Sequence, residues 1–261
     1  GADETEPDHF RVVLLGDSHS KHWVPGLHGL FADNGVSAIN LGKGGVLPFQ
    51  GGATYYNPES NVSMSDRNEK IQAYIEKFRP KVVVLSARWA LYLNNDTRQD
   101  GNGARRFFTY DQYKSLDPES SLLAIEQALI DTISRYSSLG IHTVLLGQVP
   151  PLGGSIKDCL TRPGYLATDN SIDSCRVFSR HESLERLRST NDLLLGIKNR
   201  FGNSVSVFLP SDWLCNQGEY CDLFSDNDIL YQDDDHLSYH GSVSLVKNHL
   251  TQLVEIANGG V

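Results

Sequence analysis

Five short apolar runs, at 11–15, 37–41, 81–86, 142–147 and 204–209, alternate with longer stretches of helical periodicity. Few folds satisfy that alternation. Each run is rich in Val, Leu or Ile and is bounded by Gly, Pro or Asp, as strands are. Val82-Val83-Val84-Leu85 has no polar member at all, the mark of a strand covered on both faces. The stretches at 21–33, 66–78, 118–139, 181–201 and 238–257 read as helices. In the third, Leu122, Ile125, Leu129 and Ile133 recur at helical spacing, and Gly140 supplies a stop. The expected fold is α/β: a three-layer α/β/α sandwich with a five-stranded, mainly parallel sheet, flavodoxin-like in plan.

A chain of 261 residues with 39% hydrophobic content builds one large core, so 11–261 reads as a single domain and 1–10 as a linker or cloning remnant. No apolar run approaches the roughly 20 residues that cross a bilayer. The chain starts Gly1-Ala2 and its only methionine is Met64, which points to a fragment of a longer protein. A net charge of −9 argues against a nucleic-acid partner and fits a neutral carbohydrate better. Arg105-Arg106, the only adjacent arginine pair, reads as part of a solvated loop. The four cysteines form two local pairs, Cys159 with Cys175 and Cys215 with Cys221, neither with metal or redox spacing. Two disulfides stapling polar loops imply an oxidising compartment such as the periplasm. Four buried free thiols suit the polar surroundings less well.

Chemistry concentrates at the two ends. Val12-Val13-Leu14-Leu15-Gly16-Asp17-Ser18-His19 reads as a buried strand whose turn lifts the Ser18 hydroxyl to the strand's carboxyl end, where open α/β sheets place ligands. Asp233-Asp234-Asp235-His236-Leu237-Ser238 offers an aspartate and a histidine one helical turn apart, at the start of the last helix. Serine acyl chemistry needs these parts: Ser18 as nucleophile, His236 as base, Asp233 as the carboxylate that holds the imidazole's tautomer. Asp17 is expected to fix the turn through backbone amides. His19 is the weaker base, because adjacency does not aim its ring at Ser18, and His240 reads as a surface residue. A cation site on Asp233, Asp234 and Asp235 lacks calcium-loop spacing, so no metal is expected.

Gly16-Asp17-Ser18 and Asp233-x-x-His236 resemble the first and last sequence blocks of the SGNH (GDSL-like) hydrolase superfamily. The longer strings Leu15 to Ser20 and Asp233 to Ser238, with Val82 to Trp89 as a third strand, resemble one branch of it. That branch is the SGNH domain at the carboxyl end of membrane acyltransferase-3 proteins, which O-acetylate bacterial surface polysaccharides. The resemblance implies O-acetyl transfer to a polysaccharide such as lipopolysaccharide O-antigen, in the periplasm, as the soluble part of an inner-membrane protein. It implies a fused or cognate acyltransferase-3 membrane domain as partner, no bound cofactor, and acetyl-CoA as the indirect donor through that membrane domain. A carbohydrate acetyl esterase and a non-catalytic glycan-binding module are the other readings.

One block departs from the superfamily. Ala87-Arg88-Trp89 stands where a Gly-x-Asn-Asp block would place an oxyanion-binding asparagine. The oxyanion donors are then expected to be the amide of Ser18 and an amide of the turn holding Gly44 and Gly45, with Arg88 as a substitute. Aromatic rings suit the apolar faces of sugars, and Trp89, Tyr55 and Tyr56 are the candidate contacts. The weakly periodic stretches 48–65, 93–116 and 150–179 would overhang the serine. Phe107 and Phe108 within them read instead as a satellite core.

Overall fold

The computed structural model describes residues 10–57, 60–62, 65–93, 106–154, 156, 177–225 and 228–260. Its centre is a five-stranded, fully parallel sheet of β1 (Val12–Gly16), β2 (Ala38–Asn40), β5 (Val82–Ser86), β7 (His142–Leu146) and β8 (Val205–Phe208), in the order β2-β1-β5-β7-β8. A small antiparallel sheet of β3 (Ala53–Asn57), β4 (Ser60–Val62) and β6 (Phe107–Thr109) fills part of two stretches in which the sequence shows no period. Phe107 and Phe108 are buried in it, and Phe108 joins the core on one face of the central sheet instead of forming the separate satellite core expected of it.

The central strands are apolar throughout because both faces are covered. Val12, Leu14, Val82, Val84, Val144 and Leu146 enter one core, and Val13, Leu15, Val83, Leu85 and Leu145 enter the other. This is the two-residue alternation of a pleated strand, with a hydrophobic layer on either side. α3 (Ser65–Phe78), α5 (Pro118–Ser138) and α6 (Arg180–Phe201) bring apolar faces to the second core, with Ile75, Ile125, Leu129, Ile133 and Leu194 buried. The opposite face is covered by α2 (Val24–Asp33), α8 (Tyr239–His249) and α9 (Gln252–Ala257), with Leu27, Phe31, Leu245, Val246 and Leu253 buried.

Two expected helices are broken. The stretch 21–33 starts earlier, as α1 (Ser18–His22), and restarts after Trp23 as α2, where Pro25 occupies the first turn. Proline lacks an N–H and fits a first turn, not a helix interior. The stretch 238–257 divides at Leu250 and Thr251 into α8 and α9.

The placement of the last helix matters most for function. α2 and α8 cross where the Gly26 amide donates to Ser242 Oγ (3.0 Å). A Cβ on Gly26 would lie 2.3 Å from the Ser242 carbonyl oxygen, so only glycine permits the approach. On the same helix, a Cβ on Gly29 would meet nothing within 4 Å. We expect Gly26→Ala to lower the melting temperature by roughly 5 °C or more, from about 2 kcal/mol of lost stability. Gly29→Ala should leave it unchanged or raise it slightly, since alanine is the better helix former. Thermal unfolding of the two variants checks the contrast.

Candidate active site

The sheet order puts the switch in chain direction between β1 and β5, and open α/β sheets bind ligands just beyond such a point. β1 ends there at Gly16, whose φ of +147° is one that L side chains rarely adopt and whose added Cβ would lie 1.6 Å from the Ser86 carbonyl oxygen. Asp17 follows, fully buried, and caps α1 by accepting the His19 amide at 2.9 Å. The same carboxylate accepts the Arg88 amide (3.1 and 3.2 Å) and the Tyr92 hydroxyl (3.0 Å). Asp17 therefore fixes the turn through backbone amides, and also bolts it to the segment after β5. Ser18 is the first residue of α1 and is half-buried.

The partner loop comes from the other end of the chain. A hairpin of β9 (Phe224–Ser225) and β10 (Asp228–Ile229) leads into residues 230–238, and α8 starts only at Tyr239, capped by the Ser238 side chain. Asp233 and His236 do not share a helical turn, as their spacing suggests. Asp233 Oδ1 accepts the amides of Asp235 (3.0 Å) and His236 (2.7 Å), a side-chain turn that folds the acidic run back on itself. The loop is pinned from outside as well. The Tyr231 hydroxyl donates to the Pro150 carbonyl (3.0 Å), the Leu152 amide to the Asp234 carbonyl (2.9 Å) and the Leu237 amide to His22 Nδ1 (3.3 Å).

These two supports bring Ser18 Oγ to 2.8 Å from His236 Nε2. His236 Nδ1 lies 3.0 and 3.1 Å from the two oxygens of Asp233. With Nδ1–H donating to the Asp233 carboxylate, Nε2 is left to accept from the serine, the tautomer that nucleophile activation needs. The three groups line an open cleft of about 370 Å³, together with Lys21, His22, Pro25, Gln232 and Tyr239.

A second carboxylate, unforeseen from the sequence, reaches the same histidine. Asp235 Oδ1 is 2.8 Å from His236 Nδ1, while Oδ2 pairs with Arg88 Nε at 2.6 Å and lies 3.4 Å from His19 Nε2. Burial raises the proton affinity of Asp235, but its contacts with His19, His236 and Arg88 outweigh that and hold its pKa well below the usual range. Burial works the other way on His236 and lowers its pKa. The hydrogen bonds and charges of Asp233 and Asp235 prevail and raise it above the ordinary imidazole value. Burial, then His19 and His236, lower the pKa of His22, consistent with its Nδ1 accepting the Leu237 amide. The rings of His19 and His236 are 4.6 Å apart and those of His22 and His236 5.8 Å.

Several expected residues stand elsewhere. Trp89 is 1% exposed, and its indole N–H donates to the Leu146 carbonyl (3.1 Å), so it belongs to the core and cannot meet a sugar. Arg88 turns its Nε to Asp235, behind His236, and does not line the cleft. Tyr55, on β3 opposite Phe107, is also away from the cleft, and the Tyr56 side chain lies outside the described residues. Gly44 and Gly45 sit on the turn after β2, which hangs beside the serine turn through the Lys43 amide and the Gly16 carbonyl (2.8 Å), but neither lines the cleft. His240 pairs with Asp228 (3.3 Å), outside the site. Cys215 and Cys221 form a disulfide, whereas Cys159 and Cys175 lie outside the described residues. Ligand atoms of Asp233, Asp234 and Asp235, and of His19, Asp235 and His236, come within 4.8 Å of one another, but both groups draw on carboxylates already engaged by His236 and Arg88. A signal for Asp235 did exist: an arginine inside the apolar run 82–93 needs a buried acid as partner.

A family model described as the SGNH domain fused to AT3 domains matches residues 1–250. The chain belongs to that family. The periplasmic domain of a lipopolysaccharide acetyltransferase from Salmonella ser. Paratyphi A superposes on this SGNH domain with a TM-score of 0.63, over 94% of this chain and 84% of the other, at 15% identity. At that identity the likeness shows a shared fold. A GDSL-like lipase from Bacteroides thetaiotaomicron VPI-5482 aligns over 97% of this chain and 92% of its own, at 13% identity and a TM-score of 0.49. No curated protein matches the chain.

In this geometry the neutral form of His236 can accept the proton of the Ser18 hydroxyl. A phosphonofluoridate should therefore label Ser18, which peptide mass spectrometry would locate, and His236→Ala should slow labelling by about 10³-fold or more. Because the raised pKa of His236 keeps it protonated further up the pH scale, the labelling rate should climb as pH rises, with a midpoint above the ordinary value of about 6.5. A midpoint below that value would contradict the electrostatic account.

Proposed function

We propose that this SGNH domain is a serine-dependent O-acyltransferase that passes acetyl groups to hydroxyls of a bacterial surface polysaccharide such as lipopolysaccharide O-antigen. The observation that carries the reading is the 2.8 Å contact of Ser18 Oγ with His236 Nε2 inside an open cleft. The family's fusion to AT3 domains supports transfer and a membrane AT3 partner that delivers acetyl groups drawn from acetyl-CoA. The shared fold with a periplasmic lipopolysaccharide acetyltransferase domain and the Cys215–Cys221 disulfide support a periplasmic location. No described helix is long and apolar enough to cross a membrane.

In the proposed reaction His236 takes the proton of Ser18 as Oγ attacks the acetyl carbonyl. The backbone amide of Ser18, at the open end of α1, receives the oxyanion. His236 returns the proton to the leaving group, and an acetyl-Ser18 ester remains. An acceptor hydroxyl then gives its proton to His236, attacks the ester carbonyl and leaves acetylated, while the proton goes back to Oγ.

Tyr239 is the residue that suits a sugar acceptor. It is 75% exposed, one residue after the helix cap, and borders the cleft that holds Ser18. An aromatic ring at one wall, with Lys21, Gln232 and Asp233 around it, matches a pyranose: an apolar C–H face to stack, hydroxyls to bond. Hydrolysis is the second reading, favoured by the openness of the cleft, since water reaches a half-buried serine.

Incubating the domain with an acetyl donor and surface glycans, and scoring acetylated glycan against free acetate by mass spectrometry, separates the two. Glycan acetylation that disappears in Ser18→Ala is expected, and acetate alone would favour the esterase. Tyr239→Ala should raise the KM for a saccharide acceptor about fivefold, as loss of one stacking contact of roughly 1 kcal/mol predicts. Its kcat should change less, and steady-state kinetics over a range of acceptor concentrations would measure both.

A further inference from the structure

The site carries two carboxylates against one imidazole nitrogen, and they differ in kind. Asp233 makes the well-directed hydrogen bond to His236 Nδ1, but its side chain is 40% exposed and its Oδ1 is already shared by two backbone amides. Asp235 is 2% exposed and approaches Nδ1 closer, at 2.8 Å. Its other oxygen is held by Arg88, whose amide is in turn held by Asp17 beside the nucleophile. We propose a division of labour: Asp233 aims the His236 ring, while Asp235, anchored by Arg88, is the buried counter-charge that stabilises the imidazolium formed when Ser18 is deprotonated.

The physical ground is the difference in dielectric surroundings. A charge against solvent is weakened by water and salt, whereas one removed from water acts at nearly full strength over 3 Å. Alone, a buried carboxylate would take up a proton and lose that effect. His19 and the Arg88 guanidinium, both on Oδ2, help to keep Asp235 ionised and leave Oδ1 facing the histidine. Arg88 thus acts through Asp235 as a positioning residue. Besides these groups, among the described residues only His19 and His22 bring titratable rings against His236. Neither supplies negative charge, so the two aspartates account for the raised affinity.

This inference rests on Ser18 and His236 being the reactive pair, and its test reads the histidine directly so that the two can fail separately. The His236 ring would be titrated by heteronuclear NMR in the Ser18→Ala background, where no turnover is needed. Asp235→Asn should lower the midpoint by one pH unit or more, a tenfold weaker hold on the proton, and Asp233→Asn should lower it less. An equal or larger shift in Asp233→Asn overturns the proposal. Asp235→Asn leaves Arg88 buried without its acid, so an Asp235→Asn/Arg88→Gln double variant, which removes both charges, guards against misfolding. Salt gives a readout that needs no change at either aspartate. In 1 M NaCl, where the screening length falls to about 3 Å, the midpoint should move by less than about half a unit if the buried acid dominates. A fall of a full unit would assign the field to the exposed Asp233. In the active protein, the acid limb of kcat/KM should follow the NMR midpoints, and kcat on the plateau should drop for both variants.

Discussion

The site exists because two segments separated by more than 200 residues are pressed together by one close helix crossing. Gly26 in α2 and Ser242 in α8 meet backbone to backbone, and the Gly26 amide hydrogen-bonds across the contact. α2 continues from the helix that begins at Ser18, and α8 continues from the loop that ends at His236. A shift of an ångström at that crossing would move Oγ out of hydrogen-bonding range of Nε2, since such bonds weaken steeply beyond about 3 Å. Leu27, Phe31, Leu245 and Val246, packed around the crossing, make the contact stiff as well as close.

The charges behind the histidine form a graded series from the interior to the cleft. Arg88 and Asp235 are removed from water, His236 is partly covered, and Asp233 and Ser18 reach the solvent side. A buried ion pair is poor evidence for stability, because desolvation offsets most of its attraction. On the proposed mechanism its presence makes better sense as a fixed field directed at His236, which takes up the proton of Ser18. Asp17 completes the arrangement by tying the serine turn to the Arg88 backbone, so Ser18 and the Arg88–Asp235 pair share a single buried junction.

How much of this was legible in the sequence depended on the range of the interaction. The strands were plain in runs such as Val82 to Leu85, because burial on both faces leaves a purely apolar string. The small sheet of β3, β4 and β6 was not, because its strands are short and show no alternation. Trp89 shows the opposite failure. An aromatic next to a catalytic strand looks like a ligand contact until the fold turns its indole N–H onto the Leu146 carbonyl in the core. Tyr239 carried no signal at all, because its exposure depends on where α8 begins and how that end faces the cleft.

The sequence alone determined the layered α/β class, the strand that ends at Gly16, and the residue types able to run serine chemistry, because each of these is written in local periodicity, turn chemistry and functional groups. Tertiary structure decided which carboxylates reach His236, that Arg88 faces Asp235 rather than the cleft, and which aromatic ring shares the cleft with Ser18. Those outcomes depend on distances between segments far apart in the chain, which no local pattern encodes.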